Sequence, residues 1–147
     1  MYLRICGAAA AALFPVGCGP FIFPPADPGG PAGDEISITT VVASAQFPVA
    51  IAFAPDGRAY YTEKETGRIR VLSAAGELLD KPFADVAVVA NSERGLLGIA
   101  LHPDFEENGF VYAFYTASED GVDSRNFFDA LDNRVVRFTA DPGGLEA

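Results

Sequence analysis

Few side chains in this sequence are equipped for chemistry, and their spacing limits what that chemistry could be. His102 is the only histidine, and imidazole is the natural group to take a hydroxyl proton near neutral pH. It stands in a His102-Pro103-Asp104 turn, where Pro lacks the N–H that would continue a strand, so the ring is expected to cap neighbouring backbone groups. Glu93 lies two residues before the run Gly95-Leu96-Leu97-Gly98; its carboxylate either serves a ligand or pairs at the surface with Arg94, an arrangement worth little. Glu119, Asp120, Asp123, Asp129 and Asp132 crowd one segment. Calcium favours such oxygen-rich loops, but the spacing lacks the alternating order of a dedicated site, and a solvated loop is expected. Within it, Asn126-Phe127-Phe128 could fold back on the rest of the domain. Arg134 and Arg137 alternate with apolar neighbours; a guanidinium forks well onto carboxylates, yet the alternation puts both on a solvent-facing edge. The two cysteines are Cys6 and Cys18, so from Gly19 onward no disulfide, Cys-zinc site or Cys nucleophile can form.

The elements that must position these residues are strands. Leu97, Ile99 and Leu101 alternate with Gly98 and Ala100, which gives an extended segment one large and one small face, as suits a strand between two sheets. After a loop containing Asn108-Gly109, Phe110 to Thr116 carries aromatic and β-branched residues that fit a pleated surface. The pattern is repeated. Ile51-Ala52-Phe53-Ala54-Pro55-Asp56 matches Ile99-Ala100-Leu101-His102-Pro103-Asp104 at an offset of 48 residues, Tyr60 falls against Tyr112, and Gly67 to Leu72 answers Asn133 to Phe138. A period near fifty residues, built of short strands and turns such as Asp56-Gly57 and Thr66-Gly67, predicts an all-β fold of the β-propeller type. Ala84 to Ala90 is the expected fourth strand of the first blade, and Ile36 to Ala43 also has strand propensity. About two blades are present. Since a stacked repeat buries its faces only against neighbours, the chain is expected to be a fragment or a truncated product.

The run from Glu93 to Phe105, E-R-G-L-L-G-I-A-L-H-P-D-F, followed by Asn108-Gly109, V-Y-A-F-Y-T and N-R-V-V-R-F, resembles the second blade of the glucose/sorbosone dehydrogenase family. The likeness spans roughly Phe47 to Leu145. Members of that family are quinoprotein sugar dehydrogenases built as six-bladed β-propellers around pyrroloquinoline quinone (PQQ), with relatives among secreted hedgehog-interacting proteins. The resemblance implies PQQ and calcium as cofactors and a small-molecule sugar as substrate, an aldose oxidised at its anomeric carbon to the lactone. In that reaction a histidine base takes the hydroxyl proton, the quinone accepts hydride and calcium polarises the cofactor. It also implies that Glu93, at a position commonly Gln or Glu, lies at the mouth of the central channel, where it would orient the sugar through its hydroxyls. The family's catalytic histidine belongs to a later His-x-Gly-Gly-Arg-like segment absent from this sequence, and its quinone-binding arginines come from later blades. Hence no catalytic residue is assigned to this chain, which supplies at most one wall of the site. The alternative is a non-catalytic propeller that binds proteins, since fold does not fix function; a third reading is a remnant with no function.

The N-terminal residues carry a different message. Arg4 followed by twelve apolar or small residues, Ile5 to Val16, reads as an export signal over 1–17, too short to span a bilayer. Cleavage before Cys18 would leave a cysteine for lipidation, as in bacterial lipoproteins, although Pro15 stands where such signals usually carry Leu. Residues 18–35, rich in Pro and Gly, read as a tether, and 36–147 as the partial propeller domain. An exported protein, periplasmic or on the outer cell surface, is expected. Ten basic against twenty acidic residues, a net charge of −10, disfavours nucleic acid and anionic lipid surfaces as partners.

Overall fold

The computed structural model describes residues 36–146; the export signal, Cys18 and the tether lie outside them. Seven strands form two antiparallel sheets. The first contains β1 (Pro48–Phe53), β2 (Ala59–Glu63), β3 (Arg68–Leu72) and the two-residue β4 (Ala84–Asp85), in that order. The second contains β5 (Leu96–Leu101), β6 (Phe110–Ser118) and β7 (Ala130–Thr139). One helical turn, α1 (Phe105–Asn108), joins β5 to β6, and a 3-10 turn at Phe127–Asp129 leads into β7. The sheets are neighbouring blades of a β-propeller.

The repeat read from the sequence reappears as hydrogen-bond register. Ala52 lies opposite Tyr60 and Tyr60 opposite Val71 in the first sheet; Ala100 lies opposite Tyr112 and Tyr112 opposite Arg137 in the second. Even the irregularities correspond, with a register shift between Pro48 and Ala50 and another between Leu96 and Gly98, 48 residues on. Turn chemistry explains the tight connections, since Gly57 (φ 89°) and Gly67 (φ 65°) occupy the left-handed region that glycine enters without a Cβ clash.

The core lies between the sheets. Tyr60, Ile69 and Val71 of the first sheet meet Val111, Ala113 and Tyr115 of the second, with Ile99, Leu101, Val136 and Phe138 packed around them. An aromatic ladder runs through it: Tyr60 meets Phe83 edge-on at 5.4 Å and Phe105 at 5.8 Å, and Phe83 meets Phe138 at 6.0 Å. Such edge-to-face pairs add about 0.5–1.5 kcal/mol each to the area they bury.

Two expectations are corrected. The fourth strand is not Ala84 to Ala90. Only Ala84–Asp85 pairs with β3, after which the chain crosses to the second sheet, where Val88 bridges Ala117 and Val89 bridges Ser124. The cause is a better set of partners: the Val88 N–H finds the Asp123 carboxylate at 3.0 Å, the Ala90 N–H finds the Ser124 carbonyl at 2.8 Å, and Val88 and Val89 become fully buried. An apolar run reads the same in sequence whether it extends a sheet or links two. Ile36 to Ala43 forms no strand either. Among the described residues no strand takes up its ladder, and from residue 42 onward Val42 and Ala45 merely lie against Ala59, Tyr61 and Leu72.

Candidate functional site

Antiparallel pairing brings three connections to one end of the two sheets: the β2–β3 turn (64–67), the loop 91–95 that enters β5, and the loop 119–129 between β6 and β7. Glu93 stands here, exposed, and among the described residues its carboxylate has no ion-pair partner. Arg94, the neighbour that could have neutralised it, turns away. Its Nη1 donates to the Phe127 carbonyl at 2.9 Å and its guanidinium lies 3.9 Å over the Phe127 ring.

The loop carrying Glu93 is held by backbone contacts. Gly95 has φ 128°, and a Cβ there would come within 2.4 Å of the Lys64 carbonyl oxygen. The same carbonyl accepts the Leu96 N–H at 3.0 Å, while the Thr116 N–H donates to the Gly95 carbonyl at 3.0 Å. Lys64 also reaches over the loop: its Nζ donates to the Ser92 carbonyl at 2.5 Å and lies 4.8 Å from the Phe47 ring centre. Among the described residues the non-glycine positions with positive φ are Phe47 (53°) and Ser92 (51°). Both touch Lys64. Left-handed backbone costs a side chain-bearing residue of order 1–3 kcal/mol and tends to persist where function requires it.

His102 is at the other end of β5, a six-residue strand that spans about 20 Å at the rise of an extended chain, and Glu93 lies beyond its opposite end. Its Nδ1 accepts the Asp104 N–H at 3.1 Å and meets the Asn108 amide nitrogen at 2.8 Å, while the Asn108 Oδ1 accepts the Phe110 N–H at 2.9 Å. The ring therefore caps the turn, as expected from His-Pro-Asp, and shares no space with Glu93. A cavity of about 530 Å³, open to solvent, is at this end too, bordered by Asp56, Arg58, Glu106, Glu107 and Asp141. Its charges are engaged locally: Arg58 pairs with Asp56 at 2.6 Å and so holds that carboxyl below its usual range, and Asp141 accepts the Leu145 and Glu146 N–H groups.

Four of the five acidic residues of the segment 119–132 are engaged by nearby groups. Asp120 accepts from the Ser118 hydroxyl at 2.7 Å, which lowers its pKa, and from the Val122 N–H at 3.1 Å. Asp123 holds the Val88 N–H, Asp129 takes the Ser124 hydroxyl at 2.5 Å, and Asp132 pairs with Arg134 at 2.5 Å. Among the described residues no three His, Cys, Asp or Glu side chains converge on a point where a metal ion could sit. Arg137 is exposed and lies 4.1 Å over the Phe110 ring. Phe127 and Phe128 do not fold back on the blade; they stand out beside Arg94. Phe47, Lys64 and Ser92 carry no local signal that would have marked them, because they join Glu93 only through strand pairing.

Comparison with known proteins adds the following. The glucose/sorbosone dehydrogenase family profile matches residues 45–141. The hedgehog-interacting protein of Mus musculus is 32% identical over 93 residues, 58% of this chain and 13% of that protein. Quinoprotein glucose dehydrogenase B of Acinetobacter calcoaceticus is 34% identical over 67 residues, 44% of this chain and 14% of the other. Among solved structures, the PQQ-bound form of the aldose sugar dehydrogenase of Streptomyces coelicolor superposes with a TM-score of 0.58 and 29% identity, over 74% of this chain and 29% of that one. This chain thus spans only a small part of the length of these relatives.

Proposed function

The chain belongs to the glucose/sorbosone dehydrogenase family, and from that premise we propose that it forms one wall of a PQQ-dependent enzyme that oxidises an aldose at its anomeric carbon. The observation that carries this is Glu93, an exposed carboxylate without an ion-pair partner among the described residues, on a loop held by backbone contacts at Gly95 and Lys64. A free carboxylate on a stiff loop suits charge-assisted hydrogen bonds from sugar hydroxyls, and rigidity lets those bonds orient the reacting carbon. The described residues do not by themselves fit PQQ with calcium. No metal-ligand cluster is found among them, and the nearby cations are already engaged, Lys64 on Ser92, Arg94 on Phe127 and Arg125 on Glu65. Holding the quinone falls to other blades.

The test is the full-length protein containing this chain, supplied with PQQ and calcium and assayed for aldose-dependent reduction of a dye. Turnover is expected, with Glu93→Ala lowering kcat/KM about ten- to a hundredfold. A protein that binds no PQQ and turns over no aldose would sink the reading and leave the binding module, which the likeness to hedgehog-interacting protein supports. We further propose export through residues 1–17 and lipid attachment at Cys18. Labelled palmitate should enter the wild-type chain and not Cys18→Ala; equal labelling of both would dismiss the anchor.

A further inference from the structure

The three connections at the Glu93 end are tied to one another by side chains, pair by pair, in a closed circuit. Lys64 of the β2–β3 turn reaches loop 91–95, its Nζ donating to the Ser92 carbonyl at 2.5 Å. That loop reaches loop 119–129 twice: the Asn91 Nδ2 donates to the Arg125 carbonyl and the Arg94 Nη1 to the Phe127 carbonyl, both at 2.9 Å. Arg125 then returns to the β2–β3 turn, where it pairs with Glu65. The ties join residues 28 to 60 positions apart in the chain, so none of them is a by-product of a local turn. Lys64 is itself anchored, its N–H donating to the Phe47 carbonyl at 3.1 Å and its ammonium lying 4.8 Å from the Phe47 ring centre.

Within loop 91–95 the ties fall on every residue except the central one. Asn91, Ser92 and Arg94 are held as above, and the Gly95 carbonyl accepts the Thr116 N–H at 3.0 Å. Glu93 has no ion-pair partner among the described residues. The carbonyl that Lys64 holds belongs to the peptide joining Ser92 to Glu93, and Ser92 is kept at φ 51°, a conformation that residues with a side chain seldom adopt. All four ties are exposed. Exposed polar pairs contribute little to stability; a closed circuit of them supplies a fixed loop geometry instead, which is what a carboxylate needs to orient a hydroxyl. Resting on the reading of the preceding subsection, we propose that Lys64 and Arg125 are positioning residues, which act on the reaction through the Glu93 loop, and not through contact with the sugar, by closing the circuit that holds this loop in one conformation.

The experiment reads the loop and the reaction separately in the full-length protein, for the wild type, Lys64→Met, Lys64→Arg, Arg125→Met, Glu93→Ala and the Lys64→Met/Glu93→Ala double variant. Amide hydrogen exchange reports the loop with no sugar present. The Arg94 and Leu96 amides, which donate to the Asn91 and Lys64 carbonyls, should exchange about tenfold faster in Lys64→Met and in Arg125→Met, with Lys64→Arg close to the wild type. In aldose oxidation, Lys64→Met should lower kcat/KM about fivefold and cause no further loss once Glu93 is Ala, because residues that act through one group are not additive. Lys64→Arg should recover most of the activity. Unchanged exchange in either methionine variant overturns the circuit, and so does the same fold loss from Lys64→Met with and without Glu93, in which case the enzyme stands and the positioning role falls. If the protein oxidises no aldose, the preceding reading falls and exchange alone decides: acceleration confined to residues 91–96 keeps the circuit, and acceleration spread through both sheets, the mark of general destabilisation, overturns it.

Discussion

The two copies of the repeat have the same hydrogen-bond register but differ in burial at several matched positions. Ile69 in β3 and Val135 in β7 occupy matching places, opposite Thr62 and Phe114, yet Ile69 is fully buried and Val135 is 72% exposed. Tyr60 is likewise buried between Phe83 and Phe105, whereas its counterpart Tyr112 is half-buried near His102. Both sheets send one face toward the common core. What differs is that the far face of β6 and β7 has no sheet against it among the described residues. Backbone pairing is thus a property of each copy alone, while burial belongs to the contact between copies.

The sharpest way to break this comparison is a matched pair of truncations. Ile69→Ala should destabilise the fold by about 2–5 kcal/mol through lost burial and a cavity, and Val135→Ala by less than about 0.5 kcal/mol, as read by urea denaturation. In a longer form of the protein that covers this face, the Val135 cost should rise toward that of Ile69. Equal costs in the isolated chain would mean that its second sheet is already covered.

Next in size is the pair formed by Gly67, in the turn before β3, and its match Asn133, which lies within β7. Gly67 adopts φ 65°, and a Cβ there would meet the Val86 carbonyl oxygen at 1.8 Å, because the crossing segment packs directly on it. The matching Asn133 is exposed and accepts the Thr116 hydroxyl at 2.8 Å. Gly67→Ala should therefore cost about 2–4 kcal/mol, from backbone strain and overpacking, and Asn133→Ala only about 1 kcal/mol, from one lost hydrogen bond. Thermal melts of the two variants decide it.

The smallest effect is a titration. Burial raises the Tyr60 pKa above its ordinary 10.0, and its hydroxyl donates to the Gly144 carbonyl. The folded value lies above the unfolded one, so the contribution is complete below about pH 10 and is lost as pH rises through the folded value. Tyr60→Phe should flatten that alkaline loss of stability. An unchanged profile would place the titrating group elsewhere.

Much of this fold was legible because strands and turns are written locally. Alternation of large and small residues located β1 and β5, Asp56-Gly57 and Thr66-Gly67 located hairpins, and the offset of 48 tied the copies together. The Ala84 to Ala90 segment was not legible, since an apolar run does not say which sheet it serves. For the candidate site the sequence offered one residue, Glu93, and that only through family resemblance. Phe47, Lys64 and Ser92 lie far from one another in sequence and meet because β1, β2 and β5 bring their ends together.

By itself, the sequence determined the all-β class, the repeat and the capping role of His102, all of which depend on residues near in the chain or on a period. Tertiary structure decided which repeat positions are buried, where Val86 to Ala90 crosses, and that Arg94 turns to Phe127. The physical reason is that pairing follows from alternation within a strand, whereas burial and electrostatic partnership depend on what lies across the gap between sheets.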